Sequence, residues 1–224
     1  MKKFFLFIVV FCMCVLSSCT HSHSQSSIVT KKVEARGYNR KCQVFRAIPP
    51  SKDGTKEILF IGHSLVNEFL VDEFMPHGDD VAYVNMGIGG DDTRGMYARR
   101  ELAFARNPYK MIVEIGVNDL TNEEETDTIM YYLSQFILDA VSHDINLVVC
   151  GIIPSRDTFS ERTRELNAKI QQLAEDFNCT FVDLSSMGDA EGKLLSEYDC
   201  GDHIHLSGEG YIYWSNMLKP YIYE

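Results

Sequence analysis

The sequence predicts an α/β protein: a flavodoxin-like, three-layer α/β/α sandwich around a five-stranded parallel sheet. Three observations predict it. Short, nearly solid apolar runs recur, as at Ile58–Ile61, Met111–Val113 and Leu147–Val149, and such runs suit strands covered on both faces. Segments with apolar residues at helical spacing separate those runs. The alternation happens at least four times, and crossover handedness then favours a doubly wound sheet.

The chain of 224 residues divides into three parts. In residues 1–18, Lys2 and Lys3 precede an apolar run from Phe4 to Leu16. That run has the length of a signal-peptide core and is short for a membrane span. It ends Leu16-Ser17-Ser18-Cys19, which resembles the bacterial lipoprotein processing box. That resemblance implies a lipid on Cys19 and an exported protein anchored in the cell envelope, on its periplasmic side or its surface. Ordinary signal cleavage beside an incidental cysteine is the plainer alternative. Residues 19–50 read as a tether and lead-in. The stretch Thr20–Ser27 is polar throughout and has no reason to fold; its histidines suit a solvated linker better than a metal site. Residues 28–48 alternate weakly and predict one or two edge strands. Pro49-Pro50-Ser51-Lys52-Asp53-Gly54 breaks any element, so the domain is expected to occupy 51–224.

Within the domain, Glu57–Ile61 reads as a strand and Leu65–Met75 as a helix stopped by Pro76 and Gly78. Val81–Asn85 is a second strand, Met86–Asp92 a glycine-rich loop, and Arg94–Arg106 a helix closed before Pro108. Met111–Ile115 is the third strand. Thr121 with Glu124 forms a capping-box pattern ahead of a long helix with Ile129, Leu133, Phe136, Ile137 and Ala140 on one face. Asn146–Ile153 is the fourth strand. Leu166, Ile170, Leu173 and Phe177 mark the next helix, Thr180–Leu184 the fifth strand, and Ser207–Met217 the last helix.

The net charge of −11 argues against nucleic acid and anionic membrane surfaces as partners. Removing residues 1–18 takes away two lysines and no acid, leaving −13. A neutral ester or glycan would not be repelled. Cys42, Cys150, Cys179 and Cys200 remain in the body of the protein. Export would permit a Cys42–Cys200 disulfide, while Cys150 and Cys179 read as buried thiols.

Four loops after strands carry residue types with chemical use. Gly62-His63-Ser64-Leu65 turns from strand to helix and presents a serine. A serine needs a base to become a nucleophile; otherwise it simply caps the helix. Asn85–Asp92 contains Gly87, Gly89 and Gly90, which allow close backbone approach to a ligand. It lacks the dinucleotide-binding glycine pattern. Gly116-Val117-Asn118-Asp119 offers a side-chain amide that can donate to an oxyanion, although both Asn and Asp also favour plain turns. Asp202-His203-Ile204-His205 spaces a carboxylate so that it can orient an imidazole. A surface turn, or a metal site from Asp202, His203 and His205 helped by His63, are the alternatives for that last segment.

In this order and spacing the four blocks resemble the SGNH hydrolase superfamily, the GDSL esterases and lipases, over about Glu57 to Tyr221. The loop around Gly90 and the tail His205-Leu206-Ser207-Gly208 are most similar to the platelet-activating-factor acetylhydrolase and glycan O-acetylesterase branch. The resemblance implies Ser64 as nucleophile, and His205 as base oriented by Asp202. It also implies an oxyanion hole from the Ser64 and Gly90 amides and the Asn118 side chain, with no metal or cofactor. The block usually reads Gly-Asp-Ser; here His63 replaces the aspartate that supports the turn. The expected function is a serine esterase acting through an acyl-enzyme on short acyl groups, such as acetyl, on carbohydrate. A non-catalytic glycan-binding lipoprotein and a metal-dependent hydrolase are the rivals.

Overall fold

The computed structural model describes residues 37–155 and 159–222. The signal-like segment, the Cys19 lipidation motif and the polar tether lie outside the described residues. From Tyr38 onward the described residues belong to one compact unit.

That unit opens with helix α1, Tyr38–Ala47, where the weak alternation predicts edge strands. The reason is visible in its buried set. Tyr38, Cys42 and Phe45 are buried, and a spacing of four then three is helical. This helix precedes the domain start expected at 51, yet Tyr38 reaches into the body: its hydroxyl donates to the Gly95 carbonyl at 2.7 Å.

Five strands follow: β1 Lys56–Gly62, β2 Val81–Gly87, β3 Lys110–Glu114, β4 Asn146–Cys150 and β5 Thr180–Val182. They pair in the order β2-β1-β3-β4-β5, and every pairing is parallel. The expected flavodoxin-like sheet is therefore present. Alternate residues serve opposite faces. Ile58, Phe60, Ile112, Val148 and Val182 share one cluster with Trp214, Leu218 and Ile222 of the last helix. Leu59, Ile61, Met111, Val113 and Val149, equally buried, point the other way. There the long helix presents Ile129, Leu133, Phe136, Ile137 and Ala140.

The helices are α2 Ser64–Glu68, α3 Val71–Phe74, α4 Thr93–Ala98, α5 Arg100–Phe104, α6 Val117–Thr121, α7 Thr126–Ser142, α8 Ser160–Asp176 and α9 Gly208–Ile222. Two expected helices are broken in two: Leu65–Met75 becomes α2 and α3, and Arg94–Arg106 becomes α4 and α5. The Thr121 capping box does not form. Thr121 ends α6, and its hydroxyl donates back to the Val117 carbonyl at 2.9 Å. No helix among the described residues is long and apolar enough to cross a membrane.

In an open sheet of this order the strand sequence reverses at β1/β3, and the crevice beyond the carboxyl ends there receives ligands. Ser64 follows β1, Gly90 follows β2 and Asn118 follows β3, so the topology gathers all three.

Candidate active site

The turn after β1 is held by close packing. A Cβ on Gly62 would meet the Glu114 carbonyl oxygen at 2.0 Å, so only glycine lets β1 leave the sheet there. Helix α2 then starts at Ser64, with His63 as its cap. The His63 Nδ1 accepts from the Leu65 amide at 3.3 Å, satisfying one orphan donor of the first turn. On the ring's other side, Nε2 lies 3.0 Å from a Glu114 carboxylate oxygen, and both side chains are fully buried. His63 thus replaces the expected aspartate with a cap of its own. The ring also approaches the serine: Nδ1 lies 3.5 Å from Ser64 Oγ.

Residues 199–205 form a tight loop before α9. The Asp199 carboxylate accepts from the amides of Gly201 at 2.8 Å and His203 at 2.9 Å. One Asp202 oxygen accepts from the amides of Ile204 at 2.9 Å and His205 at 2.8 Å. The second oxygen lies 2.6 Å from His205 Nδ1, and His205 Nε2 is 2.8 Å from Ser64 Oγ. The three residues expected to act together are therefore in line. With the ring proton on Nδ1, that nitrogen donates to Asp202, and the serine hydroxyl donates to Nε2. Slight burial works against the Asp202 charge, but hydrogen bonds from the His205 ring and from the His205 and Ile204 amides outweigh it. Its pKa falls well below the usual carboxylate range. A hydroxyl so placed can lose its proton as it attacks a carbonyl carbon.

Gly90 has φ +75°, a left-handed conformation that suits glycine. Its turn closes through the Asp91 amide donating to the Ile88 carbonyl at 3.0 Å. Asn118 reaches this turn directly: its Nδ2 donates to the Asp91 carbonyl at 2.9 Å. An amide nitrogen carries two hydrogens, so this bond orients the group and leaves the other for a ligand. The Asn118 and Gly90 blocks are thereby fixed to each other.

The alternative metal set does not converge. His203 pairs with Asp199 at 2.6 Å, and His63 is committed to Glu114. Among the described residues, the groups near enough to share an ion are Asp199, Cys200 and Asp202, a set with neither histidine. Cys42, Cys150, Cys179 and Cys200 are all free thiols. Cys42 and Cys150 are buried, Cys179 is half-buried rather than buried, and Cys200 is exposed.

Two supporting groups escaped the sequence reading. Arg99 is buried and pairs with Asp91 at 2.8 Å. Its other nitrogens donate to the carbonyls of Met86 at 2.6 Å and Gly62 at 3.1 Å. One guanidinium thus ties the ends of β1 and β2 to the Gly90 turn. Asp119 accepts from the Thr93 hydroxyl at 2.6 Å and from the Thr93 amide. Burial pushes the carboxyl of Asp91 up to about 6 and that of Asp119 up to about 7. Arg99 sits within an ordinary helical stretch, and Asp119 looks like turn chemistry, so no local signal marked either.

A serine–imidazole–carboxylate line at the switch point of a doubly wound sheet defines a class of hydrolase. The chain belongs to the GDSL-like lipase/acylhydrolase family: residues 62–212 match that family's sequence profile. It is accordingly an ester-bond hydrolase. It is 26% identical over 187 residues to the alpha2 subunit of platelet-activating factor acetylhydrolase IB from Homo sapiens, covering 78% of each chain. Among solved structures, a GDSL-like lipase from Bacteroides thetaiotaomicron superposes with a TM-score of 0.72 at 18% identity, over 84% of this chain and 97% of that one. An acetylxylan esterase from Geobacillus stearothermophilus superposes with a TM-score of 0.62 at 19% identity, over 76% and 96%. Those two likenesses concern the fold.

Proposed function

We propose that the protein is a serine esterase in which Ser64 is the nucleophile, His205 the general base and Asp202 its orienting carboxylate. The observation that carries this reading is the continuous contact line: 2.8 Å from Ser64 Oγ to His205 Nε2 and 2.6 Å from His205 Nδ1 to Asp202. His205 takes the hydroxyl proton as Oγ bonds the ester carbonyl carbon. The carbonyl electron pair moves onto oxygen, where the Ser64 and Gly90 amides and the Asn118 side chain stabilise it. Collapse expels the alcohol, which takes the proton from His205 and leaves an acyl-serine. Water, deprotonated by the same ring, attacks the acyl carbon. The acid leaves and the proton returns to Ser64.

The favoured substrate class is a short acyl ester, above all acetyl on carbohydrate. The names of two similar proteins support this, an acetylhydrolase subunit and an acetylxylan esterase. A lipid on Cys19 in a bacterial cell envelope is part of this proposal, on the support of the Leu16-Ser17-Ser18-Cys19 box behind the apolar run.

The test uses the purified protein, p-nitrophenyl acetate and a fluorophosphonate probe, with and without EDTA. The esterase reading expects label and turnover that Ser64→Ala abolishes and EDTA leaves intact. Turnover that survives Ser64→Ala would overturn it. Acetate released from acetylated oligosaccharides, with slow cleavage of long-chain esters, supports the substrate class; the reverse preference removes it. Cys19→Ala should move the protein out of the membrane fraction, and retention there ends the anchor proposal.

A further inference from the structure

Beneath the nucleophile lies a second imidazole–carboxylate pair that the reaction scheme leaves without a role. His63 and Glu114 are both fully buried and 3.0 Å apart. Neither Glu114 oxygen nor His63 Nε2 has a well-formed hydrogen bond among the described residues, so the 3.0 Å approach is a close contact of ring and carboxylate out of line for a hydrogen bond. An unsatisfied buried carboxylate is costly, so its place at the end of β3, against the ring that caps the nucleophile's helix, calls for a physical account.

The ring has two neutral tautomers, and they differ in effect. With the proton on Nε2, the ring faces Glu114 with a hydrogen, and Nδ1 keeps the lone pair that accepts the Leu65 amide at 3.3 Å. With the proton on Nδ1, that nitrogen meets the Leu65 N–H hydrogen to hydrogen, so the cap is lost. It also turns a donor toward Ser64 Oγ, 3.5 Å away, where it competes for the oxygen that must attack. The bare Nε2 would then face the carboxylate lone pair to lone pair. We propose that His63 is a positioning residue for Ser64 and that Glu114 acts on it as Asp202 acts on His205. The buried carboxylate holds the ring proton on Nε2, so Nδ1 caps α2 and offers no hydrogen to the serine oxygen. This rests on Ser64 being the nucleophile, as proposed above.

A second proton on His63 would enter at Nδ1 and undo both effects, so the working form has a neutral ring. Several groups face the pair. Asp119 comes from α6 and Asp91 from the Gly90 turn. The Arg99 guanidinium sits on the Gly62 carbonyl. Cys150 of β4 and Tyr211 of α9 both sense the Glu114 charge, and His205 lies across Ser64. Burial disfavours a charged His63 ring, but Glu114 outweighs it and raises the pKa above the ordinary histidine value. The acid limb of activity therefore depends on Glu114.

The experiment measures kcat, KM and the pH profile of kcat/KM on p-nitrophenyl acetate for the purified wild type, Glu114→Gln, His63→Ala, His63→Asn and the Asn/Gln double variant. Melting curves confirm that each is folded. Glu114→Gln keeps an oxygen beside Nε2 but carries no charge, so its acid limb moves to lower pH. His63→Ala loses roughly 10–100-fold in kcat, as a small misplacement of a reacting group does, with KM nearly unchanged. His63→Asn offers Oδ1 in the place of Nδ1. It recovers much of that loss, and in its background Glu114→Gln no longer moves the acid limb. Profiles of wild type and folded Glu114→Gln that superimpose would overturn the proposal, as would a shift that persists in the Asn background. Those failures differ from failure of the nucleophile assignment, which shows as activity surviving Ser64→Ala.

Discussion

Asp202→Asn isolates the orienting carboxylate with little disturbance of the loop. The two backbone amides of Ile204 and His205 bond one Asp202 oxygen, and the Asn oxygen can take over both contacts. The ring contact uses the other oxygen, which becomes an NH2 group. That group donates to His205 Nδ1 and forces the ring proton onto Nε2, where it faces Ser64 and blocks proton acceptance. The variant also removes the charge that stabilises imidazolium in the transition state. At about 4 Å between charge centres, a unit pair is worth about 1 kcal/mol in water and about 4 kcal/mol at an effective dielectric of 20. The Asp202 and His205 side chains are 47% and 30% exposed, so solvent screening puts the loss between those limits, at about 2–3 kcal/mol. This corresponds to roughly 30–150-fold in kcat, less than the about 10⁴-fold of a buried triad. Steady-state hydrolysis of p-nitrophenyl acetate at pH 8 reads it. A kcat within threefold of wild type, or a change confined to KM, would refute the assignment of Asp202.

Other outcomes follow from the same contacts. Arg99→Met leaves Asp91 buried without its partner and the Gly62 and Met86 carbonyls short of a donor. Urea unfolding should show a loss of about 3–5 kcal/mol, and a loss under 1 kcal/mol would deny the strut. Asp119 holds its proton up to about 7 in the folded protein, well above an unfolded aspartate. The folded state therefore binds more protons between pH 4 and 7, and stability contributed by this group falls as pH rises through that window. His63, with its raised pKa, contributes with the same sign. Melting temperatures recorded from pH 4 to 7 should accordingly fall less in Asp119→Asn than in wild type, and equal slopes would contradict the burial of that carboxyl. Gly62→Ala forces a methyl to within 2.0 Å of the Glu114 carbonyl oxygen. It should yield little soluble protein, and a variant with a wild-type melting point would show that the turn can relax.

Much of this arrangement was legible in the chain because strands buried on both faces write themselves as apolar runs. Ile58–Ile61 and Leu147–Val149 admit few other readings. The Asp202–His205 pair was legible because the two sit three residues apart, close enough for spacing to imply contact, whereas its junction with Ser64 rested on the resemblance. What failed was local ambiguity of period. Tyr38, Cys42 and Phe45 carry a helical spacing that intervening polar residues disguised as alternation, and Thr121 followed by Glu124 copied a cap while its hydroxyl bonded backward. What stayed hidden was pairing across distance. Nothing near His63 announces Glu114, and nothing near Arg99 announces Gly62 or Met86. Such partners become neighbours only when β1, β2 and β3 lie side by side.

Arg99 also bears on how the enzyme can change. Because a single side chain grips three loop bases, a shift in any one is transmitted to the others, and the loops cannot be retuned separately. A directed-evolution library aimed at new acyl groups should spare this residue and Asp91. Diversity belongs instead at side chains that bind none of these loop bases.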